Sequence, residues 1–116
     1  MGHIADRSRR RVSLRAERSG RDSRNLDAYV DTEGNLHIDG QDLGPGTSIV
    51  SSDGEYEWFQ TIHAAHLPDL KVLLGGVPEE DILDILERSW TGARAGELEK
   101  LLRDSGIPVD RSVWSG

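Results

Sequence analysis

Apolar residues recur at a sustained structural spacing from Leu26 onward, so the core is expected to come from residues 26–116. Leu26-Asp27-Ala28-Tyr29-Val30-Asp31 and Asn35-Leu36-His37-Ile38-Asp39 alternate with the period of two that sends successive strand side chains to opposite faces. Thr32-Glu33-Gly34 separates them, and glycine suits the left-handed position of a tight loop, so the spacing predicts a β-hairpin. Gly40 to Gly46 reads as a loop, because glycine and proline keep it out of regular structure. A second hairpin is expected from Thr47 to His63, turning at Ser52-Asp53-Gly54, with Tyr56, Trp58 and Phe59 on its return strand.

The period then lengthens to that of helices. Leu67 to Leu74 places leucines at helical spacing, with Pro68 in the first turn and Gly75-Gly76 as a stop. Pro78 to Trp90 opens on proline and three carboxylates that complement the helix dipole, and Ile82, Leu83, Ile85, Leu86 and Trp90 form one apolar stripe. A third helix covers about Ala95 to Asp104, and Ile107 to Trp114 reads as a final strand. Together these elements predict an α+β fold. It has an antiparallel sheet of about four to five strands, begun by a meander of two hairpins, and two to three helices packed on one face. A domain of this size buries about 60–65% of its unfolded surface, enough for one modest core.

Residues 1–25 carry eight arginines against three acids, a net of +5, whereas residues 26–116 carry a net of −12. With Val12 and Leu14 as its main apolar positions, the first segment is expected to be a disordered basic arm in front of a single acidic domain at 26–116. Such an arm can contact nucleic acid, fold back on its own domain, or be translated upstream sequence. It has no interleaved aromatics that would favour the first.

The chain has no cysteine, which removes disulfides, thiolate metal sites and thiol nucleophiles and fits a reducing cytoplasm. It has no apolar run of the ~18 residues needed to span a bilayer, and no apolar segment follows the N-terminal arginines as a secretory signal requires. Asp31-Thr32-Glu33-Gly34-Asn35 resembles a calcium loop in composition only and reads as a turn. His63-Ala64-Ala65-His66 lacks the i, i+4 spacing of a helical metal pair. The Gly40–Gly46 loop lacks the Lys and Ser/Thr of a phosphate-binding loop.

Alternation places Leu36 and Ile38 on one face of their strand, and Tyr56, Trp58 and Ile62 on the same face of theirs. If those face the helices, the open face gathers His37, Asp39, Glu55, Glu57, Phe59 and His63. Two histidines and three carboxylates are a set that can bind metal or exchange protons, and equally a solvated polar face.

The segments YVDTEGNLHIDGQDLG at Tyr29 to Gly44, DGEYEW at Asp53 to Trp58, LPDLKVLLGG at Leu67 to Gly76 and the ending GIPVDRSVWSG resemble a set of small actinobacterial proteins. No activity or functional residue is attached to that set. The resemblance implies a bacterial, cytoplasmic domain and takes in none of residues 1–25.

Acidity is the remaining guide. A net of −12 on residues 26–116 speeds association with a basic protein and discourages contact with nucleic acid. The expectation is a protein-binding module, of the immunity or inhibitor type, that docks on a basic partner through the six open-face residues. No catalytic residue, metal site or cofactor is assigned, no membrane contact is expected, and oligomeric state is open. The alternatives are a small metal- or acid/base-dependent enzyme using His37 and His63, and nucleic-acid contact through the arginine-rich arm.

Overall fold

The computed structural model describes residues 10–19, 22–43 and 55–115. Five strands form one antiparallel sheet in sequential order: β1 (Arg11–Ser19), β2 (Asp22–Val30), β3 (Leu36–Leu43), β4 (Glu55–Ile62) and β5 (Asp110–Ser115). Between β4 and β5 come a 3-10 turn (Ala64–His66) and three helices, α1 (Leu67–Leu73), α2 (Ile82–Ser89) and α3 (Arg94–Asp104). The fold is α+β. Leu36, Ile38 and Ile62 from the sheet share one core with Leu70, Ile85, Leu86 and Leu98 from the helices.

The β2–β3 hairpin turns at 31–35 as expected. Asp31 Oδ1 accepts from the backbone N–H of Glu33 (2.8 Å) and Asn35 (3.0 Å), and Gly34 takes the left-handed conformation with φ +86°. Helix α1 ends at Gly75-Gly76, where the Gly76 N–H bonds back to the Lys71 carbonyl at 2.9 Å. Helix α2 begins later than the proline suggests. Pro78 to Glu80 form a turn, and Asp81 is the N-cap, its side chain accepting from Leu83 N–H at 2.8 Å.

The largest departure from expectation is at the front of the chain. Residues 11–19 and 22–25 are strand, not a disordered arm, so the domain boundary at 26 does not hold. The remainder of the expected arm, residues 1–9, lies outside the described residues. Val12 (3% exposed) and Leu14 (1%) belong to the core. Between Ser13 and Arg15 the register with β2 shifts, and Leu14 is the residue left over. Its carbonyl accepts the Gly92 N–H at 2.8 Å, tying the bulge to the α2–α3 connection. Arginine content suggests disorder, but Val12 and Leu14 alternate with polar residues as a strand requires, and arginine stems are tolerated at a sheet edge.

One further expectation changes. Gly40 to Leu43 extend β3 rather than opening a loop. The rest of that loop and the expected strand and turn between Thr47 and Gly54 lie outside the described residues. Strand β4 already has both neighbours, β3 and β5.

Candidate functional site: the open face of the sheet

Helices cover one face of the sheet, and the registers define what the other face presents. Asp27 lies opposite Asp39, Tyr29 opposite His37, Asp39 opposite Phe59, Gln41 opposite Glu57, and Glu57 opposite Trp114. The sheet therefore brings His37, Asp39, Glu57 and Phe59 to one surface, as alternation predicts. Glu55 begins β4 opposite Leu43, and its side chain lies outside the described residues.

The two histidines bond different carboxylates. His37 is stacked on Tyr29, with ring centroids 4.7 Å apart and planes 8° from parallel. Its Nε2 donates to Asp31 Oδ2 at 2.7 Å, and in the neutral ring its Nδ1 accepts from Thr61 Oγ1 at 3.2 Å. Both ring nitrogens are thus engaged in tying the hairpin turn to β4. His63 lies just past β4 and pairs through Nε2 with Asp110 Oδ2 at 2.7 Å, closing the start of β5 against the end of β4. The hydrogen bond from His37, aided by the two turn amides, holds the Asp31 carboxyl down at about 2. Among the described residues, no group of three or more His, Asp or Glu side chains is placed to hold a metal ion.

The carboxylates meet elsewhere. Asn25, Asp27, Asp39, Gly40, Gln41, Glu57 and Phe59 line a shallow depression of about 170 Å³ in the middle of the open face. Asp39 sits at its base, half-buried, with Oδ1 shielded from solvent and without a hydrogen-bond partner among the described residues. Burial pushes its carboxyl up, with the charges of Asp27 and Glu57 adding to the effect and those of His37 and Arg11 opposing it. Around it, Glu57 accepts from Gln41 Nε2 at 2.9 Å. Arg11 approaches Asp27 at 3.6 Å and lies over the Tyr29 ring, 4.6 Å from its centroid. Phe59 and Trp114 stand beside the carboxylates, 38% and 49% exposed.

Sequence reasoning missed Asp27, Gln41 and Trp114. The first two follow from the β2–β3 hairpin once its register is drawn across the whole length of the strands. Trp114 carries no local signal, because β5 pairs with β4 across the intervening helices.

Three of the eight arginines expected to form an arm are engaged within the fold. Arg10 bonds Asp84 and Glu87 on α2, Arg11 faces Asp27 and Tyr29, and Arg15 bonds Glu17 at 3.0 Å. Among the described residues no helix is long and apolar enough to cross a membrane.

Comparison with protein-family models, with curated proteins and with solved structures finds no match to this chain. These comparisons lend no support to the expected resemblance to small actinobacterial proteins.

Proposed function

We propose that the protein is a binding module, at work in a cytoplasm, whose open sheet face docks on a basic protein surface. The observation that carries this reading is the depression around Asp39. Three carboxylates, Asp27, Asp39 and Glu57, converge beside an exposed Phe59, and Asp39 has a shielded oxygen with no partner among the described residues. A lysine or arginine inserted there supplies the missing partner for Asp39 and relieves the repulsion between Asp27 and Asp39, which face each other across the ladder. Its stem packs on Phe59, and its charge favours the aromatic face. The net charge of −7 steers a cationic partner toward the molecule. An inhibitor that covers the phosphate-binding cations of a nuclease needs a surface of this kind.

The enzyme reading has less to stand on, since His37 and His63 are each committed to a separate carboxylate. The nucleic-acid reading loses the arginines that are paired within the fold.

The test is an NMR titration with an arginine-rich peptide. Shifts centred on Asp27, Asp39, Gln41 and Phe59, weakening as salt rises and in Asp39→Asn and Glu57→Gln, are the expected result. Shifts spread evenly over the acidic surface, or unchanged in those variants, overturn the reading.

A further inference from the structure

On the opposite, helix-covered face the sheet holds one polar side chain inside the core. Gln60 lies in β4 between Ile38 of β3 and Arg111 of β5, and at 7% exposure it is the sole buried polar residue among those described. Its Nε2 has no acceptor among the described residues. An amide donor held out of water without a partner opposes folding, and leucine of similar size would avoid that cost. The position therefore asks for an acceptor that the fold itself does not provide.

Gln60 opens into a cavity of about 270 Å³ between α3 and β5. Leu102, Ile107 and Val109 form its apolar wall. The remaining lining is charged: Glu99, Arg103 and Arg111. Glu99 is already engaged, its Oε2 accepting the indole N–H of Trp58 at 2.9 Å. Arg103 reaches only its neighbour Asp104, at 4.0 Å, and Arg111 forms no ion pair among the described residues. Both arginines are exposed, so they stand at the open side of the cavity. An unpaired buried donor, an apolar wall and two available guanidinium groups thus converge on one space.

We propose that this cavity binds a small carboxylic acid with an apolar body. The carboxylate accepts from Gln60 Nε2 and from the guanidinium forks, whose planar geometry matches it. The hydrocarbon part lies against Leu102, Ile107 and Val109. The volume of about 270 Å³ suits a short-chain acid, whose far end can reach the open side. The site lies across the sheet from the acidic depression and is independent of the role proposed for that surface.

Hexanoate is a suitable probe, with hexan-1-ol as its uncharged counterpart. In an NMR titration at millimolar concentration, hexanoate is expected to shift Gln60, Leu102, Val109 and Arg111 and to bind at least tenfold more tightly than the alcohol. Arg111→Gln, at an exposed position, should weaken hexanoate roughly tenfold and leave the alcohol unchanged. Gln60→Leu should weaken hexanoate likewise while keeping the fold, since it removes a buried polar group. Absence of shifts at these residues, equal binding of acid and alcohol, or affinity unaffected by Arg111→Gln overturns the proposal.

Discussion

Gly40 and Trp58 face each other across β3 and β4, and the indole of Trp58 occupies the space that any side chain at position 40 would enter. A Cβ built on Gly40 falls deep inside van der Waals contact with Trp58 Cε2 and Cζ2. The indole has little freedom to withdraw, because its Nε1–H is fixed on Glu99 of α3. Gly40→Ala should therefore destabilise the fold by about 1–3 kcal/mol in urea unfolding followed by circular dichroism. Combining it with Trp58→Leu should cost less than the sum of the single changes, because the clash and its cause are removed together.

Strand β1 is part of the core. Leu14→Ala should cost roughly 2–4 kcal/mol, the range for a fully buried leucine whose surroundings collapse only partly. A chain begun at Leu26 should fail to show a cooperative thermal transition, since it loses Val12, Leu14 and the Gly92 hydrogen bond and leaves the β2 edge bare. A cooperative melt of that shortened chain equal to the full protein's would restore the boundary at 26.

Acid should loosen the hairpin turn through Asp31. Its carboxyl is depressed from 3.8 to about 2 in the folded protein, so the stabilisation is complete above pH 3.8 and disappears as pH falls toward 2. Asp31→Asn keeps an oxygen for the Glu33 and Asn35 amides but cannot titrate. Its melting temperature should fall less steeply than that of the parent protein across that window, and parallel curves would refute the assignment.

Asp39 has the opposite sign. Its carboxyl is raised by burial, so its contribution to stability is greatest below the unfolded value and declines as pH rises through the folded one. At neutral pH Asp39→Asn should raise the melting temperature while weakening capture of an arginine-rich peptide. A variant that gains stability and loses binding would mark the residue as one retained at the expense of the fold.

Much of this architecture is written locally in the sequence. The hairpin through Asp31 and Gly34, the Ile82–Leu86 stripe of α2 and the opposed faces of β3 and β4 all depend on neighbours within a few residues. What escaped detection depends on distant pairing or on competing signals. Arginine content masked Val12 and Leu14 as core residues, because composition and alternation point in opposite directions there. The offset start of α2 was hidden by Pro78, which is as compatible with a turn as with a first helical residue. Alternation groups His37 with His63, yet His63 lies just past β4, and their partners Asp31 and Asp110 come from a turn and from the far strand. Face assignment tells which residues are near one another, while hydrogen bonding decides which of them are left to meet a partner.

The sequential order of the strands leaves β1 and β5 as the two outer edges of the sheet. Any such edge is a template on which another copy can add a strand, and opposite edges on one molecule allow head-to-tail growth without closure. Strand β1 alternates toward water with Arg11 and Arg18 and carries Arg15 at its bulge, whereas β5 opens on Asp110 and Arg111 and continues with the uncharged Ser112-Val113-Trp114. A cationic edge repels its own kind and resists backbone-to-backbone addition. The arginines that resemble a detachable tail thus lie along one outer edge of the folded sheet.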